Sequence, residues 1–159
     1  MDEIDISIIS ELMPQGRLTW AELAQRVGLS APGLMDRIRR LEEKKVIQGY
    51  RALIDPQALG LNLTAFVSLS LEKPSHRTGF LKRIKQLPEV QECHHVAGDD
   101  DYLIKLRCLN TRHLDQIITM GLKSLPGVTR TRTTIVMGTE KETSELPLPE
   151  INADGSVSA

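Results

Sequence analysis

Arg37, Arg39 and Arg40 stand within four residues of one another, interleaved with Leu34, Ile38 and Leu41. A guanidinium donates paired hydrogen bonds to phosphate oxygens or to the O6 and N7 edge of guanine, so this cluster offers recognition chemistry. A second candidate is the run Asp99-Asp100-Asp101, with His94 and His95 close by. Three carboxylates and two imidazoles are donors for a hard cation or a transition metal. Successive strand residues point to opposite faces, however, so the two histidines cannot share one site. Aspartate is also favoured in hairpin turns for its own backbone hydrogen bonds. The reading is a turn with no metal, better suited to an ammonium-bearing ligand. No nucleophile–base pairing, Gly-rich phosphate loop, His-Glu-x-x-His or Cys-x-x-Cys stands out. No catalytic residue or cofactor is therefore assigned, and the chain is not expected to be an enzyme.

The arginines must be positioned by the stretch from Thr19 to Tyr50. Leu23, Ala24 and Val27 mark one face of a short helix, with Thr19 and Glu22 at capping-box spacing. Gly28 can end that helix in the left-handed conformation. Ser30 can cap the next, with Pro32 in its first turn. Leu34, Ile38 and Leu41 form the buried stripe of this second helix, and the arginines lie off it. A helix, a glycine-containing turn and an arginine-bearing helix make a helix-turn-helix, whose second helix can enter a major groove of double-stranded DNA. The DNA-facing candidates are Ser30, Pro32, Gly33, Asp36, Arg37, Arg39 and Arg40. The rival reading is a helical hairpin with solvated charges. Residues 2–13 add a third helix through Ile4, Ile8, Ile9 and Leu12, and Trp20 is expected to pack rather than contact DNA.

The chain has 159 residues, 40% hydrophobic and 26% charged, as expected for a globular protein with a real core. No apolar run suits a bilayer span and no signal peptide is evident, so the expected compartment is the cytoplasm, with no membrane partner. Cys93 and Cys108 make no disulfide framework, and a buried, reduced state is expected. The net charge is −1, unevenly placed. Arg17–Arg51 holds eight basic and four acidic residues, whereas the segment from Glu140 onward holds one lysine and five acids. A locally basic segment is the modest electrostatic footprint of one DNA-reading module.

Val46–Ile54 is β-prone, and the domain boundary is placed near residue 60. Beyond it the order reads β-α-β-β-α-β: strands over 62–72, 90–97, 102–109 and 128–137, and helices over 77–87 and 110–125. Leu87-Pro88-Glu89-Val90 recurs as Leu125-Pro126-Gly127-Val128, and the same offset of 38 carries the first strand and helix onto the third strand and second helix. Two such halves make a ferredoxin-like split βαβ module, an antiparallel sheet with both helices on one face. The fold class is therefore α+β. It comprises an N-terminal (winged) helix-turn-helix domain with a hinge strand (1–60), a C-terminal ferredoxin-like βαββαβ domain (61–138) and an acidic tail (139–159), read as mobile or as a clasp on a neighbouring subunit. The uncovered sheet face, with Phe66 on it, implies a homodimer.

The chain resembles the leucine-responsive/asparagine-operon (Lrp/AsnC) family of transcription regulators. The resemblance rests on Ile4-Asp5-x-x-Ile8-Ile9-x-x-Leu12, Ala21-Glu22-Leu23-Ala24-x-x-Val27-Gly28-Leu29-Ser30, Arg37-Ile38-x-Arg40-Leu41-Glu42, Val46-Ile47-x-Gly49-Tyr50, Gly98-Asp99-x-Asp101-Tyr102-Leu103 and Leu125-Pro126-Gly127-Val128. It implies dimers joined through the C-terminal sheets and assembled into tetramers or octamers, promoter binding, and tuning by a small effector, usually an amino acid. It places the effector at Gly98, Asp99, Asp101 and Tyr102, and more weakly at Thr133, Thr134, Ile135 and Val136. Two positions depart from the family pattern. Lys45 stands where a glycine usually follows the recognition helix, and Asp100 stands where an aromatic residue is usual. The leading expectation is a sequence-specific regulator tuned by an effector. The alternative is an architectural DNA binder with little sequence preference and no effector, marked by steep salt dependence and a low specificity ratio. A small-molecule enzyme on the same sheet is a third, weaker reading.

Overall fold

The computed structural model describes residues 1–149. They divide into two compact units, one built on Met1–Leu53 with residues 141–149 grouped to it, the other spanning Ile54–Glu140.

The first unit holds α1 (Glu3–Leu12), α2 (Trp20–Arg26) and α3 (Ala31–Glu43). Each helix starts where a short polar side chain can take an orphan backbone N–H. At α1 a reciprocal capping box forms: Asp2 Oδ1 accepts from the Asp5 N–H at 2.9 Å and Asp5 Oδ2 from the Asp2 N–H at 3.1 Å. The sequence suggests only dipole-compensating acids there. Thr19 and Glu22 form the expected box at α2, with bonds of 3.2 Å and 2.9 Å. Gly28 ends α2 at φ 68°, and Ser30 Oγ accepts from the Gly33 N–H at 3.3 Å to start α3. Ile8, Leu23, Ala24, Leu34, Ile38 and Leu41 close into a single core, with Trp20 packed at its margin as expected. Burying each large aliphatic side chain contributes about 1.5–3 kcal/mol.

The end of α3 keeps its shape despite lacking glycine. Lys45 takes φ 58°, and its N–H donates to the Glu42 carbonyl at 2.9 Å while the Val46 N–H donates to the Leu41 carbonyl at 2.9 Å. This is the paired bonding of a Schellman cap, built on a residue that strains to adopt it. The strand expected over residues 46–54 does not form. Among the described residues no strand pairs with that segment, and an extended segment alone has no ladder for its N–H and C=O groups.

The second unit orders its strands β1 (Leu63–Leu71), β2 (Val90–His95), β3 (Tyr102–Cys108) and β4 (Val128–Ile135) as β2-β3-β1-β4, all neighbours antiparallel. Helix α4 (Arg77–Ile84) and helix α5 (Thr111–Gln116), which runs on as a π-helical segment over Ile117–Leu122, cover one face. The expected βαββαβ order and the internal repeat are thus present. Ala65, Val67, Leu69, Ile104 and Leu106 point into the core against Phe80 and Leu122. The opposite face carries the row Glu92, Lys105, Phe66, Thr134, set by strand register, with Lys105 Nζ 3.0 Å from Glu92 Oε1. Residues 139–149 form neither helix nor strand. The rest of the acidic tail, read as mobile or as a clasp, lies outside the described residues.

Candidate functional site

Helix α3 presents its arginines because Leu34, Ile38 and Leu41 turn the opposite side inward. Arg39 and Arg40 are exposed, and both meet Asp36 one turn earlier, at 3.1 Å and 2.5 Å, while Arg39 also reaches Glu43 at 3.9 Å. These i,i+3 and i,i+4 pairs lie in high-dielectric surroundings and are worth a few tenths of a kcal/mol each, so a phosphate can displace them. Ser30, Pro32 and Gly33 form the first turn of the same helix, with Ser30 and Pro32 exposed.

Arg37 behaves differently. Its guanidinium sits 2.7 Å from Asp2 and 2.7 Å from Asp5, tying α3 to the start of α1. That contact holds the Asp2 carboxyl below the usual carboxylate range and raises Arg37 further. The structure therefore places Arg37 as a clamp between helices rather than beside Arg39 and Arg40. The signal in the sequence is the acidic start of α1, which has a partner to match.

Met35, 44% exposed on α3, is a feature that sequence reasoning misses. With Trp20, Asp36, Ile38, Arg39 and Glu42 it lines an open groove beside the helix. An exposed methionine off the buried stripe can pack on a thymine methyl group. Tyr50 stands edge-on to Trp20 at 6.0 Å and bonds Glu42 at 3.1 Å. Burial and that carboxylate push its phenol up to about 12.

The acidic turn joins β2 to β3, and its three carboxylates have separate fates. Asp99 is exposed. Asp100 is 6% exposed, accepts from Ser70 Oγ at 3.2 Å and pairs with Arg132 of β4 at 3.0 Å. Asp101 extends the sheet: its N–H donates to the Leu69 carbonyl at 3.0 Å, and its Oδ2 accepts from the Leu71 N–H at 2.7 Å. Tyr102 is buried against Phe80, with ring centroids 4.6 Å apart. Gly98 is exposed, as are Thr133, Thr134 and Ile135 at the end of β4, while Val136 is half-buried and donates its N–H to the Thr64 carbonyl at 2.9 Å. The turn and β4 are thus joined through Asp100 and Arg132, a link that sequence spacing does not reveal. Of the acidic turn, Asp99 is the carboxylate without such a structural engagement among the described residues.

Among the described residues no group of three His, Cys, Asp or Glu side chains could hold a metal ion. His94 bonds Glu92 at 3.2 Å, and His95 lies against Tyr102. The cysteines do not face each other. Cys93 pairs with Ile104 while Cys108 pairs with Leu63, four residues further along β3. That is about 13 Å of strand, well beyond a disulfide's reach. Burial raises both thiols, Cys108 up to about 11, so neither has reactive thiolate character.

Comparison with known proteins fits this arrangement. Residues 1–42 match the AsnC-type helix-turn-helix domain, and residues 64–146 match the Lrp/AsnC ligand binding domain. The chain is similar to the leucine-responsive regulatory proteins of Escherichia coli and Klebsiella pneumoniae, 40% identical over 148 residues, 92% of this chain and 90% of each relative. Its fold is similar to that of a transcriptional regulator from Neisseria meningitidis solved with L-methionine. The TM-score is 0.88 at 31% identity, over 92% of this chain and 96% of that one. It is also similar to the feast or famine regulatory protein of M. tuberculosis complexed with L-methionine. There the TM-score is 0.83 at 36% identity, over 91% and 97% of the two chains. With a helix-turn-helix unit and a ligand-binding unit both matched across most of its length, the chain belongs to the Lrp/AsnC family of transcription regulators.

Proposed function

We propose that this protein is a sequence-specific regulator that reads double-stranded DNA through α3 and responds to a small effector, an amino acid. The observation that carries the reading is the pairing, in one chain, of an arginine-bearing helix with solvent-facing Arg39 and Arg40 and a ligand-binding domain of the same family. Residues 1–60 act as the DNA-reading domain with its hinge and 61–138 as the ligand-binding and oligomerisation domain. Ser30, Pro32, Gly33 and Asp36 set the approach of α3, while Arg39 and Arg40 contact phosphates or guanines. Two relatives were solved with L-methionine, which supports an amino-acid ligand here.

The effector is read at the turn Gly98–Tyr102 and at Thr133–Val136. Asp99 takes the ammonium, because Asp100 and Asp101 already hold Arg132 and the Leu71 N–H. The open sheet face, with Phe66 half-buried on it, pairs two copies, and the dimers assemble further into tetramers or octamers in the cytoplasm. The effector binds one arrangement of dimers better than another and so shifts the spacing of the DNA-reading domains.

Fluorescence anisotropy of a labelled duplex from the gene's own upstream region tests this, with a scrambled duplex as the control and with amino acids added singly. Preference for the native duplex, changed by one amino acid and no longer changed in Asp99→Asn, is the expected result. Equal binding to both duplexes with no amino-acid effect would mark an architectural binder instead.

A further inference from the structure

We infer that α4 is a second, sequence-independent DNA-contacting surface, one that engages phosphates of duplex flanking the site read by α3. The inference rests on the DNA-binding reading above. From Lys73 to Leu87 the chain carries Lys73, Arg77, Lys82, Arg83 and Lys85 and not one Asp or Glu. Phe80 and Ile84 anchor the helix in the core, with Leu81 and Leu87 packed beside them. The charged side chains are thereby turned outward: Arg77, Lys82 and Lys85 are exposed and Arg83 is half-buried.

What separates this surface from an ordinary solvated helix is the state of its charges. Each arginine of α3 has a carboxylate within 4 Å, from Asp2, Asp5, Asp36 or Glu43. Among the described residues Arg77, Lys82, Arg83 and Lys85 form no ion pair, and only Lys73 has one, to Glu72 at 3.6 Å. The positive charge left uncompensated is therefore greater on α4 than on the recognition helix. Helix stability does not account for it. Bases at Lys82, Arg83 and Lys85 suit the negative end of the helix dipole, but Arg77 occupies the positive end, where a base is unfavourable and an acid is the usual choice.

A row of uncompensated bases is the surface that a phosphate backbone neutralises, with release of counterions. The location fits as well. Helix α4 covers one face of the sheet, and the face proposed for pairing two copies is the other, so dimerisation there leaves α4 uncovered. Three of the five bases are lysines, compact point charges suited to phosphate contact rather than base reading.

The test compares the full-length protein with K82Q/R83Q/K85Q on two duplexes, one of about 20 bp spanning two half-sites and one about three times longer. Binding is measured across a salt series. The expected result is a steeper salt dependence for the wild type on the long duplex. In the triple variant that slope should fall by about 0.9 for each phosphate no longer neutralised, with binding to the short duplex unchanged. The charge-conserving K82R/K85R should retain the wild-type slope. An unchanged slope on the long duplex in the triple variant overturns the inference. So does a change in assembly size by sedimentation without a change in slope, which would make α4 a subunit contact. Failure of the wild type to bind either duplex would be a different result: it removes the DNA-binding reading and this inference with it.

Discussion

Arg37 lies 2.7 Å from Asp2, and through that contact the recognition helix is clamped to the first residues of the chain. The same guanidinium reaches Asp5, so the pair that caps α1 also receives α3. A side chain that reads as a DNA contact from its spacing thus also holds the DNA-reading unit together.

Arg37 and Arg40 should therefore fail differently when truncated. Arg37→Ala should lower the stability of the helical unit by about 1 kcal/mol, since its partners are partly exposed and the pairs are screened. Arg40→Ala should leave the melting temperature within error and weaken DNA binding severalfold. Thermal unfolding by circular dichroism and duplex anisotropy on both variants separate the two roles. The clamp is also pH-dependent. Asp2 has a folded-state pKa below its unfolded value, so its contribution is present above the unfolded pKa near 4 and is lost as pH falls through the lowered folded value. Stability of wild type and Arg37→Ala should converge as pH falls through the lowered Asp2 value.

Lys45→Gly should stabilise the protein. Lys45 holds φ 58° at the cap of α3, a conformation that costs a residue with a Cβ about 1 kcal/mol and glycine very little. Part of the gain is offset because glycine also loosens the unfolded chain. A rise in the urea midpoint with an unchanged slope is the expected readout. A lower midpoint would mean that the Lys45 side chain contributes more than its strain costs.

Arg132→Ala should cost more stability than Arg130→Ala, although both arginines are exposed on β4. Arg132 compensates a buried carboxylate, Asp100, which also accepts a hydrogen bond from the Ser70 hydroxyl. Leaving a buried charge unpaired is costly, and with Arg132 itself half in solvent the difference should be about 1–3 kcal/mol. Denaturant titration of the two variants measures it. Asp100→Asn in the Arg132→Ala background should recover part of the loss.

Gly127→Ala should destabilise the ligand-binding unit by about 2 kcal/mol or more, from two separable causes. Gly127 has φ 83°, and a Cβ there would run into the imidazole of His76. His76→Ala should relieve the ring part of the clash, though its own Cβ would still lie 2.8 Å from the added one, so the double variant should be more stable than Gly127→Ala alone while still short of His76→Ala. Additive losses across this cycle would show that the imidazole moves aside without cost.

Much of this architecture is legible in the sequence. The Thr19–Glu22 capping box, the Gly28 break and the 38-residue repeat are local or periodic signals written into residue types along the chain. Residues 46–54 read as a strand because β-propensity reports on a side chain's fit to a sheet, not on whether a neighbouring strand exists. The contacts of Arg37 and Asp100 are hidden for a related reason. Their partners, Asp2 and Arg132, are distant in sequence, and nothing in local spacing says which charges meet.

By itself the sequence determined the order of the helices and sheet strands, the helix starts, the inward stripes and the family resemblance, because hydrophobic period and cap chemistry act over one or two turns of chain. Only the tertiary structure decided which charges are spent on the fold and which are left for partners. It ties Arg37 to α1, buries Asp100 under Arg132, sets Asp101 on the Leu71 N–H, and leaves Asp99 and the bases of α4 facing solvent. Charge pairing depends on distance in space, and folding brings residues 30 or more positions apart within hydrogen-bonding range.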